Sequence, residues 1–261
     1  MKMFDRKAFK ASGKANFMRN YWPMVAVCVL LYITVAASGY TITINISDSD
    51  LGKLMSFDIR DIKLLRPLVA VAATAGIFSG VFNLAVKILA VNPYQVGASR
   101  FLMVNRYDEK AQFPLVGSGF SKNFGNVILT QFLKDLYTIL WTLLLIVPGI
   151  IKGYAYFCVP YILAENPDMS HDRAIQLSCQ MTSGWKGDMF ITDLSFILWW
   201  ILNALTLGIL GIFYLYPYVC GTRAEIYGFL RRTALENGVT TTAELMGFGE
   251  TSADPSGSWY N

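Results

Sequence analysis

The chain has 261 residues, 54% of them hydrophobic and only 15% charged, with a formal net charge of +4 and a mean hydropathy of +0.41. That is more apolar side chain than a water-soluble surface of this size hides, and it is gathered into blocks rather than spread at amphipathic spacing, which points to helices embedded in lipid. A single histidine, His171, and four scattered cysteines with no C-x-x-C pair argue against a metal centre, a zinc site or a disulfide framework.

Residues 2–20 place Phe4, Ala8, Ala11, Ala15 and Met18 on one helical face, with Lys7, Lys10, Lys14 and Arg19 largely elsewhere, so a basic helix on the membrane surface is expected. Trp22 to Gly39 reads as a first span, with Tyr21 and Trp22 at headgroup level. An outer loop over 41–66 and a second span from Pro67 to Val91 follow. The stretch from Asn92 to Asn123 is polar and reads as a connection.

Asn126 to Val147 makes a third span, long enough for about 30 Å of hydrocarbon and broken by Pro148 and Gly149. Ile150 to Ala164 is a shorter fourth segment, about 22 Å of helix, which must borrow flanking residues, thin the bilayer or fail to cross. Ser170 to Met181 carries Ala174, Ile175, Leu177 and Met181 at the spacing of a second surface helix. Met189 to Leu205 and Gly208 to Ile226 complete six spans in three hairpins, about 22–91, 126–164 and 189–226. The fold class is therefore all-α, a multi-pass transmembrane helix bundle with interfacial amphipathic helices, occupying residues 1–232. From 233 to 261 the composition turns to Gly, Ser, Thr and acids, which predicts a disordered cytosolic tail.

Lys and Arg concentrate on the N-terminal, 92–125, 165–188 and C-terminal segments, whereas the opposite side holds Lys53, Arg60, Lys63, Arg66 and Lys152. The richer side is cytosolic, so both termini are expected inside. Basic residues that flank spans beside aromatics favour membrane lipids with anionic headgroups on that face rather than nucleic acid.

The dipeptide Pro-Tyr occurs at Pro93-Tyr94, Pro160-Tyr161 and Pro217-Tyr218, where nine Pro and fourteen Tyr predict roughly half an occurrence by chance. Each pair closes an apolar block, and four residues beyond each Pro lies a small residue: Gly97, Ala164 and Gly221. Together with Leu140-Trp141 and Leu198-Trp199, this reads as three copies of one unit. The repeated motif is a structural helix-end marker on one reading and the lining of a central cavity on the other. Lys134, Asp135 and Asp193 fall inside spans, where an ionisable group needs a partner or water. No H-E-x-x-H and no G-x-x-x-x-G-K-[ST] run is present, so no catalytic residue, cofactor or metal ligand is expected.

Leu140-Trp141 through Val147-Pro148-Gly149-Ile150-Ile151-Lys152, then Tyr154 to Tyr161, Ile162-Leu163-Ala164-Glu165-Asn166-Pro167, Ala174 to Lys186, Leu194-Ser195-Phe196 and Pro217-Tyr218 resemble the domain of unknown function 975 family, bacterial and mostly from Firmicutes. The resemblance implies a multi-pass protein of the bacterial cell membrane and supplies no activity or catalytic residue. Two function classes remain open. One is a non-enzymatic membrane protein working through lipid or membrane-protein contacts, and the other is a small transporter or channel with a polar path between the hairpins.

Overall fold

The computed structural model of the chain describes residues 4–37, 80–108, 111–120 and 123–248. The expected outer loop 41–66, most of the expected second span and residues 249–261 lie outside the described residues. Every regular element among the described residues is helical. Among the described residues three helices are long and apolar enough to cross a membrane, Phe124–Leu144, Ile146–Glu165 and Lys186–Leu205, and Tyr21–Ile33 is a shorter apolar helix.

Helix α1 (Arg6–Arg19) starts on Asp5, whose carboxylate accepts from the N–H groups of Lys7 (2.9 Å) and Ala8 (3.0 Å) and so satisfies two of the donors that a helix start leaves open. Its buried stripe is Phe9, Gly13 and Phe17, while Ala11, Ala15 and Met18 of the expected apolar face are exposed. The two phenylalanines bury far more area than the alanines do, and Gly13 lets the helix touch α10 (Tyr216–Glu236) backbone to backbone at Gly221 and Thr222. Phe4, Phe9, Trp185 and Phe229 close this contact, with ring centroids 4.9 to 5.7 Å apart.

Helix α2 (Tyr21–Ala37) follows. The stretch expected as a polar connection instead contains α3 (Asn92–Tyr107), which continues the preceding apolar segment through a π turn at Lys87–Val91 and buries most of its residues. Its polarity misleads because many of its polar groups pair with other parts of the protein. Arg19 of α1, for example, donates to the carbonyls of Asn105 (2.6 Å) and Arg106 (3.2 Å) in the last turn of α3, a cation on a helix C-terminus. The 3-10 segment Phe113–Phe120 lies against α3 at backbone distance, since a Cβ on Gly97 would meet the Val116 carbonyl and one on Gly119 that of Pro93.

Helix α4 (Phe124–Leu144) ends before Pro148, because Leu145 turns extended (φ −158°, ψ 138°) and α5 (Ile146–Ala155) begins at once. Pro148 therefore falls in the first turn of α5, where its missing N–H leaves nothing unpaired. The reversal lays Gly149 directly on Thr142 and Lys152 over the Trp141 ring at 4.9 Å. The short fourth segment thus borrows residues 146–149 and, after a turn at 156–158, continues as α6 (Val159–Glu165). Helix α7 (His171–Met181) buries Ala174, Leu177, Ser178 and Met181, with Ile175 half-buried, close to the expected face.

Helix α8 (Lys186–Leu194) is joined to α9 (Ile197–Leu205) by a break at Ser195–Phe196. The chain then reverses at 206–208, with Leu207 and Gly208 at φ 52° and 87°, and passes through a second π turn, Gly211–Leu215, into α10. The tail expected from 233 is folded as far as described: α10 runs to Glu236, and Leu245 and Phe248 are buried in the main core. Two hydrophobic anchors and the partners of Glu244 outweigh the polar composition there.

Candidate functional site: the Pro-Tyr joints and the buried ion pairs

All three Pro-Tyr pairs occupy the same structural position. Pro93, Pro160 and Pro217 lie in the first turn of α3, α6 and α10, directly after a distorted segment: the π turn 87–91, the turn 156–158 and the π turn 211–215. The motif is thus a joint that opens a helix, not the helix end read from the sequence. A proline has no N–H to give to the preceding turn, so the ladder is interrupted in any case. The π turns absorb the mismatch, with Asn92 N–H bonding the Lys87 carbonyl and Tyr216 N–H that of Gly211.

The tyrosine of each joint is held by another part of the chain. Tyr94 donates to the Val27 carbonyl (2.9 Å), Tyr161 stacks on Tyr227 (4.7 Å between centroids) and Tyr218 meets the edge of Phe196 (5.1 Å). Of the small residues, Gly97 and Gly221 are the backbone contacts described above, and the Ala164 carbonyl accepts from Arg100 of α3 (2.8 Å).

Charged side chains not singled out from the sequence tie the helices together where α1, α3, α6 and α10 meet. Glu165 is buried and accepts from Tyr227 Oη (2.8 Å), Arg231 Nε (2.7 Å) and the Gly247 N–H (2.6 Å), so one carboxylate ties α6, α10 and the C-terminal segment. Glu225 takes both forks of Arg106 (3.0 Å each) and the Asn16 amide (2.7 Å), tying α10 to α3 and α1. Arg173 pairs with Glu244, with Nη2 at 2.8 Å from Oε2, and Thr240 donates to the same carboxylate. The hydrogen bonds from Arg173 hold the Glu244 carboxyl below its ordinary value. A sequence signal for these pairs existed. Glu225 lies with Arg223 inside a mostly apolar block, and charges there demand partners.

The three polar residues read from the sequence fall into two separate clusters. Asp135 sits between Lys134 (3.3 Å) and Lys87 (3.2 Å), joining α4 to the π turn before α3. Asp193 accepts from Tyr154 Oη (2.9 Å) and faces Arg223 at 3.3 Å, joining α8, α5 and α10. Lys134 therefore pairs with Asp135 and not with Asp193. Asn92, Thr130 and Gln131 are buried with no hydrogen-bond partner among the described residues. Among the described residues no three His, Cys, Asp or Glu side chains are grouped to hold a metal ion.

Residues 143–234 match the family described as Protein of unknown function (DUF975). The match runs from the tip of α4 through most of α10. It takes in two of the three joints along with Glu165, Asp193, Glu225 and Arg231, and it agrees with the resemblance read from the Pro-Gly-Ile-Ile-Lys run and the segments after it. No curated protein and no solved structure matches the chain.

Proposed function

We propose that this chain is a non-enzymatic, multi-pass protein of the bacterial cell membrane, with six spans in three repeated hairpins and both termini in the cytosol, that works through lipid or membrane-protein contacts. The observation that carries this is the segregation of its surface. Glu165, Glu225 and their partners lie with the aromatic core among α1, α3, α6 and α10, while the limbs α4–α5 and α8–α9 and the turn after α9 expose hydrocarbon: Leu143 is 78% exposed, Ile146 71%, Leu198 74% and Leu207 92%. Such surface is stable only in lipid or against another apolar face.

The contacts between units support the threefold repeat. The helical segment before each hairpin packs on the Pro-Tyr helix of the unit before it in a closed cycle: 113–120 on α3, α7 on α6, and α1 on α10. A ring of this kind fits a platform for lipids or a partner subunit, with its joints held by close packing. Reporter fusions test the arrangement. A fusion after Asn261 is expected to report from the cytosol and insertions at 145–146 and 206–208 from outside, and any other pattern overturns it.

A second reading, transport of a small polar solute, draws on one observation: the unpartnered Asn92, Thr130 and Gln131 lie on the same helices as the Lys87–Asp135–Lys134 cluster. Solute flux through proteoliposomes that is lost in Gln131→Leu would favour this reading over the first.

A further inference from the structure

We infer that the face between α1 and the α8–α9 joint is a binding site for an anionic phospholipid, with the phosphate held by Lys10 and Lys14 and the acyl chains laid along the exposed side of α8 and α9. This rests on the membrane reading above and goes beyond it by naming the residues and the lipid class.

The buried stripe Phe9, Gly13 and Phe17 fixes α1 on α10, so its lysines are held in place rather than carried on a loose arm. Lys10 Nζ donates to Ser195 Oγ (3.0 Å) and lies 4.2 Å from the centroid of the Phe196 ring. Neither partner is charged, and Ser195 has already given its own proton to the Thr192 carbonyl (2.6 Å). One helical turn further on, Lys14 Nζ is 6.0 Å from the Tyr214 ring. No carboxylate among the described residues pairs with Lys10 or Lys14. Asp193, two residues before Ser195, is occupied by Arg223 and Tyr154. Burial pushes the Lys10 ammonium below the usual lysine value, as expected for a cation with no counter-charge.

The ground beside these ammonium groups is hydrocarbon. Ile191, Leu194, Ile197 and Leu198 are exposed on the two helices that carry Ser195 and Phe196. A free anion would use the lysines and ignore this surface, and an acidic protein segment would use the lysines alone. A molecule with one phosphodiester and two acyl chains satisfies both halves.

The test uses the full chain purified in neutral detergent and native mass spectrometry, with phosphatidylglycerol, phosphatidylcholine and inorganic phosphate as probes. The wild-type chain is expected to retain phosphatidylglycerol in preference to phosphatidylcholine, with inorganic phosphate unable to displace it. Lys10→Gln with Lys14→Gln should weaken retention about fivefold for each charge removed. Lys10→Arg with Lys14→Arg should restore it, and Arg232→Gln, on a residue paired with Glu236, should leave it unchanged. Equal retention of both lipids by the wild-type chain overturns the proposal without needing any variant to fold. So does displacement by inorganic phosphate, or a double Gln variant that binds like wild type. Failure of the membrane reading looks different, because the chain would then stay monodisperse without detergent.

Discussion

The base of the molecule and its limbs are built from the same chain under opposite rules. In the base, where α1, α3, α6 and α10 meet, buried charges are tolerated because each is paired, as Glu165 is by Arg231, Tyr227 and Gly247 and Glu225 is by Arg106 and Asn16. In the limbs burial is confined to a few residues, Val127, Thr130 and Gln131 of α4, Gly149 and Ala155 of α5, and Met189 and Thr192 of α8. Helix α9 has no buried residue at all, yet nearly every side chain on it is apolar. The contrast shows that stability in the base comes from specific partners, whereas the limbs leave their hydrocarbon to whatever surrounds them. Substitutions should therefore act by different mechanisms in the two regions.

The largest effect is expected at Glu165. Glu165→Ala removes the acceptor of three donors and takes a carboxylate away from the nearly buried Arg231, a loss of about 3–5 kcal/mol that should appear as unfolding or early aggregation in detergent. A limb substitution sharpens the comparison. Leu198→Arg should leave the fold of the base intact while opposing membrane insertion by about 2.5–3.5 kcal/mol, measurable as a smaller fraction of chain resistant to carbonate extraction. Equal damage to thermal stability from both variants would erase the distinction.

At the contact of α1 with α10, Gly13→Val forces a side chain into the backbone of Gly221 and Thr222 and should cost about 1–3 kcal/mol. Protease sensitivity at the N-terminal helix reports it, and the limbs should not respond. The smallest effect concerns the half-exposed Arg173–Glu244 pair, which contributes no more than about 1 kcal/mol. Its folded carboxyl value is lowered, so the contribution is complete above the unfolded value of about 4.3 and fades as the pH falls through the lowered one. Hydrogen exchange of residues 239–248 should accelerate over that acid range in the wild-type chain and show no such step in Arg173→Gln.

The same contrast explains what could be read without coordinates. The limbs were legible because helices long and apolar enough to cross a membrane need only unbroken apolar runs, so the blocks beginning near 126 and 189 correspond to α4 and to α8–α9. The face of α7 and the repetition of Pro-Tyr were legible for the same local reason. The base was not, because its order comes from partners distant in sequence. Helix α3 looks like a connection until Arg19, Arg100 and Arg106 are seen with their acceptors. The buried stripe of α1 is set by where Gly221 allows approach, which its own periodicity does not encode. The break at Leu145 and the first-turn position of Pro148 belong to a hairpin closure between Thr142 and Gly149, where the nearest proline in the sequence suggested a different turn.

The central claim, that base and limbs live in different solvents, is tested most directly by spin labels at Leu140, Leu198 and Arg232 in the chain reconstituted into liposomes. Collision rates with oxygen, which concentrates in lipid, and with a water-soluble nickel chelate can be compared at each position. Leu140 and Leu198 are predicted to favour oxygen and Arg232 the chelate. If all three labels meet the chelate equally, the limbs are in water and the account is wrong.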